Sequence, residues 1–236
     1  MIFELTEFSH NRETPMRVMP VYGPGMTHTC FQSPAHLSGY DKFKQAGARM
    51  LSRGDEPVDL LGQGVTYAYA YDPEGNMLEL EQLDFSVLGG DPRKPEWVDA
   101  GLDMWMTQVA LVTHDIERLT TYYSEILGFN PYRAADISNR LPFDDATDID
   151  DVSLKVVFFR MAQRTKSMEF WQYVNPETPQ IQGDRDSTAL GYSYSIEVGD
   201  IQAEYARMTD LGVKFVSEPV LIGDFWQVYA NDIDGN

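Results

Sequence analysis

The chain has 236 residues, of which 37 are acidic and 18 are basic, and its formal net charge is −19. This acidity repels phosphate backbones and anionic lipid surfaces, so we expect neither nucleic acid nor a membrane as a partner. A hydrophobic content of 43% is ordinary for a globular protein. The single cysteine, Cys30, excludes an internal disulfide framework and favours a reducing, cytoplasmic setting.

The first third of the chain predicts a strand, a helix and then paired strands. The stretch PGMTHTCFQS, Pro24–Ser33, predicts a strand, and GYDKFKQAGARML after it predicts a helix. VTYAYAYD and NMLELEQL follow as two strands, joined by a Pro-Glu-Gly-Asn turn. The stretch GGDPRKPEWVDAG, Gly89–Gly101, holds two prolines and predicts a linker.

The same order of elements begins again after the linker. WMTQVALVTHD predicts a strand, and the apolar spacing of Ile116, Leu119 and Tyr123 predicts a helix that Asp115 caps and Gly128 ends. VSLKVVFFRM and SMEFWQYV predict a pair of strands after it, whereas the acidic residues 136–151 between helix and strands predict a loop.

A further copy of the pattern closes the chain. LGYSYSIEVGD, Leu190–Asp200, predicts a strand, and Asp200 caps the helix predicted after it. The last residues, YANDIDGN, repeat YAYDPEGN from Tyr69 to Asn76. Self-similarity at this level indicates a tandem duplication of one β-α-β-β-β unit.

Nearly the whole chain resembles the vicinal oxygen chelate superfamily. The stretches that carry the resemblance are TQVALVTHDIERLTTYYSEILGF and DPEGNMLEL. That superfamily includes glyoxalase I, extradiol dioxygenases, methylmalonyl-CoA epimerase and resistance proteins for bleomycin or fosfomycin. The resemblance implies an α+β fold, in which tandem βαβββ modules form two glyoxalase-like half-barrel domains. The implied domains are residues 1–88 and 105–236, with a linker at 89–104.

The resemblance also implies that both domains are incomplete, so we expect a chain that is trimmed at both termini. Residues 2–8, IFELTEF, match the last strand of a first module. The fourth module would stop at Asn236, before its closing strand. An incomplete barrel exposes sheet edges, which favours a homodimer.

The family places metal ligands on the first and last strands of each module, and four residues here match those positions. They are Gln108, Glu169, His28 and Glu79. One imidazole and three oxygen ligands suit divalent Zn, Ni, Co, Mn or Fe. The resemblance implies that Glu79 is the catalytic base and that Glu169 is its counterpart on the other side of the substrate.

Two pairings of the modules are open at this point. If residues 24–85 pair with residues 105–175, all four ligands meet in one site. If residues 24–85 pair with residues 2–8, the site holds Glu4, His28 and Glu79. Ser193 stands at the position that corresponds to His28, and because serine is a poor ligand we expect no metal there.

Other candidate residues have simpler interpretations. We expect Glu4 and Glu81 on solvated strand faces, and Cys30 in a core. Four aromatic residues near the ligands are predicted as core: Trp105, Phe170, Trp171 and Tyr173. Three histidines are predicted without function: His10, His36 and His114.

The implied activity is proton transfer on a small substrate by a metal-dependent isomerase or lyase. Glyoxalase I binds glutathione through charged or polar groups, and Val112, Tyr173 and Pro24 occupy those places here. We therefore expect a substrate other than a glutathione adduct. Two alternatives are an extradiol dioxygenase, which needs two histidines and a carboxylate around iron, and a non-catalytic protein that binds a small molecule.

Overall fold

A computed structural model describes residues 18–88, 101–162, 166–180 and 193–236. The first described segment contains the strands and helix β1 Gly25–Pro34, α1 Gly39–Gln45, β2 Arg49–Met50, β3 Val58–Asp59, β4 Val65–Tyr71 and β5 Met77–Leu83. The middle of the chain contains β6 Trp105–Val112, α2 Ile116–Leu127, β7 Arg133–Ile137, α3 Leu141–Thr147, β8 Ser153–Ala162 and β9 Lys166–Asn175. The last segment contains α4 Ile201–Asp210, β10 Lys214–Phe215, β11 Val220–Ile222, β12 Phe225–Gln227 and β13 Ala230–Asn231.

Strands β1 to β9 form one mixed sheet. Its order is β2-β4-β5-β1-β6-β9-β8-β7, with β3 paired to β4. Strands β1 and β5 are parallel, β6 and β9 are parallel, and the antiparallel pair β1–β6 joins the two halves. The sheet thus unites residues 25–83 with residues 105–175, which is the first of the two pairings that the sequence left open. The fold belongs to the expected α+β class, with a large sheet and few helices.

The two faces of the sheet pack against different helices because side chains alternate along each strand. On one face, Phe143 and Ala146 of α3 lie in the same buried cluster as Tyr69 and Trp171. On the other face, Leu119 of α2 packs in a buried cluster with residues of β6, β8 and β9. We call the face under α3 the inner face.

The two long helices begin at the caps that the sequence predicts, and α2 also ends where predicted. Asp115 caps α2 through a hydrogen bond from the backbone N–H of Arg118, and Gly128 ends it with a φ of 75°. Asp200 caps α4 in the same way. These caps satisfy N–H groups that have no partner within the helix.

The repeated phrase forms the same turn at both places. In each copy the aspartate N–H donates to the asparagine carbonyl four residues later, Asp72 to Asn76 at 2.9 Å and Asp232 to Asn236 at 3.0 Å. The aspartate carboxylate accepts the asparagine N–H in both turns. Gly75 has a φ of 91° and Gly235 a φ of 82°, a backbone region that favours glycine. The duplication seen in the sequence is therefore a duplication of structure.

Two sequence predictions are wrong. Residues 136–151 are not a loop, because they contain the end of β7 and helix α3. Burial of Phe143, Ala146 and Thr147 stabilises this seven-residue helix, whose acidic residues dominate the sequence pattern. Residues 193–198 do not form the strand predicted from LGYSYSIEVGD, since no described strand pairs with them.

Several predictions fall on residues outside the described ranges. These are the strand at residues 2–8 and most of the linker at 89–104. The division into domains at that linker stays a prediction. Within the described ranges, no helix has the length and apolar character needed to cross a membrane.

We expect Leu119→Ala to lower the free energy of unfolding by about 2–5 kcal/mol, because a fully buried leucine leaves a cavity. Leu141→Ala is the matched control, since Leu141 is 65% exposed and its truncation should change stability by about 0.5 kcal/mol or less. Urea unfolding followed by circular dichroism measures both. Equal effects of the two substitutions would contradict the packing of α2 on the sheet.

Candidate metal centre

The four predicted ligand residues come from the four central strands. His28 lies on β1, Glu79 on β5, Gln108 on β6 and Glu169 on β9. Cys30 pairs with both Glu79 and Gln108 across the sheet, and Ala110 pairs with both His28 and Glu169. Because paired residues share a face, these registers direct all four side chains to the inner face.

The ligand atoms lie close together at the centre of this face. One nitrogen of His28 and one oxygen each of Glu79 and Glu169 all lie within 4.8 Å of one another. His28 Nε2 is 3.5 Å from Glu79 Oε2. Gln108 Nε2 donates a hydrogen bond to the same Glu79 oxygen at 3.2 Å, so ligation through the Gln108 oxygen requires its amide to turn over. The structure thus brings together all four predicted residues.

Aromatic donors orient both carboxylates. The Tyr69 hydroxyl donates to Glu79 Oε1 at 3.0 Å. The Trp171 indole N–H donates to Glu169 Oε2, also at 3.0 Å. Both rings pack edge-on against His28, with centroid distances of 5.4 Å for Tyr69 and 6.1 Å for Trp171. These contacts restrict the rotamers of the three central side chains, as partners around metal ligands commonly do.

The two carboxylates differ in proton affinity. Burial raises the pKa of Glu169 well above its ordinary value, and the negative charges of Glu79 and Glu81 raise it further. Burial also opposes ionisation of Glu79, but interactions with His28, Tyr69 and Cys30 outweigh it and lower the pKa of Glu79. In the same site, Glu79 therefore favours the ionised form and Glu169 favours the protonated form.

The inner face continues past Glu79 into a second buried group. Cys30, Glu79 and Glu81 each place a potential ligand atom within 4.8 Å of the others. Gln32 donates a short hydrogen bond to Glu81 and accepts one from the Trp105 indole at 3.1 Å. The prediction of a solvated Glu81 is wrong, since only 8% of it is exposed. Its strand is central, so neither face reaches solvent freely.

A divalent metal fits the donors that are present. His28 Nε2 is buried and has no hydrogen-bond partner, while the Nδ1 atom of the same ring contacts the Thr27 hydroxyl at 3.1 Å. Two carboxylates at 2% exposure face that nitrogen. Burying a carboxylate charge without a cation costs several kcal/mol, whereas a metal bound to all three groups offsets that cost.

Other candidate residues lie away from this centre. Ser193 is exposed and belongs to the irregular segment before α4. His36 is exposed in a short 3-10 helix, and the backbone carbonyl of His114 accepts a hydrogen bond from Gln172. Glu4 and His10 lie outside the described residues.

The residues at the three positions that the resemblance assigns to glutathione binding are buried. Val112 and Tyr173 pack in the inner-face cluster, and Pro24 is buried at the start of β1. None of these three side chains offers a charge to a tripeptide ligand.

The sequence pattern missed the roles of Tyr69 and Trp171. Both were grouped with ordinary strand or core residues, and both are indeed buried. The signal that could have found Trp171 is its spacing, because a residue two positions from Glu169 shares its face. Tyr69 could have been found from the hairpin turn, which sets its pairing with Glu79.

Comparisons with known proteins show the family to which the chain belongs. Residues 107–229 match a family model described as the glyoxalase/bleomycin resistance protein/dioxygenase superfamily. A stretch of 59 residues is 34% identical to an ethylmalonyl-CoA/methylmalonyl-CoA epimerase from Cereibacter sphaeroides, covering 25% of this chain and 44% of that protein.

Solved structures show similarity at the level of the fold. A glyoxalase I variant from Zea mays superimposes with a TM-score of 0.51 and 19% identity, covering 89% of this chain and 66% of that one. A glyoxalase family protein from Bacillus cereus has a TM-score of 0.43 and 19% identity, covering 53% of this chain and 84% of that one. The chain thus spans about two thirds of the maize structure.

We expect elemental mass spectrometry of protein purified without chelators to find about one divalent metal per chain, because the two groups of potential ligands among the described residues share Glu79. His28→Ala should lose most of it, since the substitution removes the nitrogen ligand. His36→Ala removes an exposed histidine and should keep it. Equal metal content in all three proteins, or none after addition of Zn²⁺, Ni²⁺, Mn²⁺ or Fe²⁺, would contradict this site.

Proposed function

The chain belongs to the glyoxalase/bleomycin resistance protein/dioxygenase superfamily, and we propose that within it the protein is a divalent-metal-dependent isomerase or lyase. The proposed reaction moves a proton at a carbon next to a carbonyl group of a small substrate. The observation that supports it most directly is the pair Glu79 and Glu169, which flank His28 in one buried site. The metal ligands would be His28, Glu79, Gln108 and Glu169.

The unequal proton affinities of the two carboxylates suit acid–base work. Glu79 favours the ionised form and can accept a proton from carbon. In the absence of a metal Glu169 favours the protonated form, and it can return a proton from the other side. Groups whose environments push their pKa values apart commonly divide into base and acid in this way. The hydrogen bond from Trp171 leaves the second oxygen of Glu169 for other contacts. The second oxygen of Glu79 already accepts a hydrogen bond from Gln108.

A bound divalent metal would polarise the substrate carbonyl and stabilise the negative charge that proton removal leaves on oxygen. We propose that this metal is Zn, Ni, Co, Mn or Fe. The surrounding side chains exclude water from the site, because Tyr69, Trp171 and Tyr173 are all buried around it. Exclusion of water strengthens every electrostatic interaction in the site.

The substrate we propose is small and is not a glutathione adduct. Support comes from the buried, uncharged residues Val112, Tyr173 and Pro24 at the positions expected to bind glutathione. The short match to a protein named ethylmalonyl-CoA/methylmalonyl-CoA epimerase supports proton transfer as the reaction type. A two-domain division around residues 89–104 and a homodimer belong to the same proposal.

An extradiol dioxygenase is less consistent with the site. Such an enzyme needs two histidines and one carboxylate. Among the described residues, His28 is the one histidine that reaches the carboxylates, since His36 and His114 lie elsewhere. A purely ligand-binding protein would not need two buried carboxylates beside an imidazole nitrogen that has no hydrogen-bond partner.

We expect Glu79→Gln and Glu169→Gln each to slow proton exchange about 10²–10⁴-fold, the usual contribution of a general acid or base. The assay follows loss of the carbon-bound proton signal by NMR in D₂O, with α-hydroxy ketones and a methylmalonyl thioester as substrates. Glu117→Gln, at an exposed position of α2, is the control and should retain the full rate. Metal content is measured for each variant, so that loss of the metal and loss of the base are separated.

Two outcomes would contradict this proposal. Exchange as fast in Glu79→Gln as in the unchanged protein would exclude Glu79 as the base. Absence of exchange with every substrate, in protein that holds about one metal per chain, would exclude proton transfer on these substrate classes.

Oxygen consumption separates the proposed reaction from ring cleavage. With Fe²⁺-loaded protein and catechol, we expect no oxygen uptake above that of His28→Ala, because the site has one histidine. An oxygen electrode measures the rate. Catechol-dependent uptake that His28→Ala abolishes would favour the dioxygenase instead.

A further inference from the structure

Two arginines lie on the inner face beside the candidate metal centre. Arg133 on β7 pairs with Phe158 on β8, and Phe158 pairs with Glu169 on β9. Arg160 on β8 pairs with Ser167 on β9, two pairs further along. Because paired residues share a face, both arginines project from the same side of the sheet as Glu169. Phe158 packs against the inner-face cluster, which agrees with this assignment.

The two guanidinium groups are held by aromatic rings. The Arg133 guanidinium lies 5.0 Å from the centroid of Phe158, and the Arg160 guanidinium lies 4.4 Å from that of Tyr132. The Tyr132 and Phe158 rings are themselves in contact, at 6.2 Å between centroids. A guanidinium stacked on a ring keeps its N–H groups free at the edge, where they bind planar oxyanions in pairs.

Neither guanidinium is paired with a carboxylate among the described residues, although the chain has 37 acidic side chains. Other arginines do have such partners. Arg53 binds Asp148 and Asp150, and Arg207 binds Glu204. Arg133 and Arg160 are also exposed, whereas Glu169 on the same face is buried.

We infer that Arg133 and Arg160 form a subsite that binds an oxyanion group of the substrate, either a carboxylate or a phosphate, while the metal centre binds the reacting end. This inference rests on the proposed function and narrows its substrate class. Two strand spacings separate Arg133 from Glu169, about 10 Å. An apolar group lying over Phe158 would span that distance. The substrate therefore has a polar reacting end, an apolar middle and an anionic end.

The charge of the protein makes such a subsite necessary for an anionic substrate. A net charge of −19 repels anions from most of the surface. Arg133 and Glu169 both pair with Phe158 and lie on the same face of the sheet, so one ligand can contact both.

The test uses three ligands that differ at one end. Each is a benzohydroxamate, whose two adjacent oxygens chelate a divalent metal, and the para substituent is a carboxylate, a phosphonate or a neutral carboxamide. Isothermal titration calorimetry measures their affinities for the zinc-loaded full chain. We expect one of the two anionic ligands to bind about tenfold or more tightly than the carboxamide, the effect of one charge-assisted hydrogen-bond pair.

Single substitutions assign that preference to the subsite. Arg133→Gln and Arg160→Gln should each reduce it to about threefold or less, half or less of its free energy. Lys155→Gln is the matched control, because Lys155 lies on β8 at an alternate position and faces the other side of the sheet. It should keep the full preference. A preference that survives both arginine substitutions, or that Lys155→Gln reduces equally, would overturn the inference.

A second measurement does not depend on the metal. Terephthalate and neutral terephthalamide are titrated into metal-free, ¹⁵N-labelled protein, and the Nε–H signals of Arg133 and Arg160 are assigned with the two variants. We expect terephthalate alone to shift both signals. No shift would overturn the inference even if proton transfer is demonstrated. A shift in a protein that takes up no divalent metal would support the subsite and contradict the proposed function.

Discussion

The antiparallel pairing of β1 with β6 is the constraint on which the rest of the structure depends. It joins two βαβββ modules into one sheet, and its register opposes His28 to Ala110 and Cys30 to Gln108. Each of these strands has a parallel partner that supplies a glutamate, β5 with Glu79 and β9 with Glu169. A shift of one residue in this register would turn His28 to the opposite face, away from Glu79 and Glu169.

The centre of the sheet is a costly place for ionisable groups, and the surrounding contacts show how the fold tolerates them. Tyr69 and Trp171 each donate a hydrogen bond to a carboxylate, and Gln108 donates to Glu79. These donors stabilise negative charge at Glu79, while Glu169 is favoured in its neutral form. Buried polar groups of this kind reduce stability unless all are satisfied, so their retention here is consistent with a role in chemistry.

Local sequence patterns predicted those elements whose signals are short in range. The caps of α2 and α4, the paired strands and the repeated aspartate-to-asparagine turn depend on residues within a few positions of one another. The pattern failed for α3, where three buried residues outweigh an acidic composition, and for residues 193–198, where no described strand pairs with the segment. Stability in both cases depends on partners distant in the chain.

The sequence by itself determined the repeated order of elements and which side chains share one side of each strand, because alternation along a strand is a local property. Only the tertiary structure decided which modules pair, that Glu81 is buried, and that Arg133 and Arg160 share a face with Glu169. These features depend on strand order and register. Both are set by packing between segments that lie far apart in the sequence, which no local pattern records.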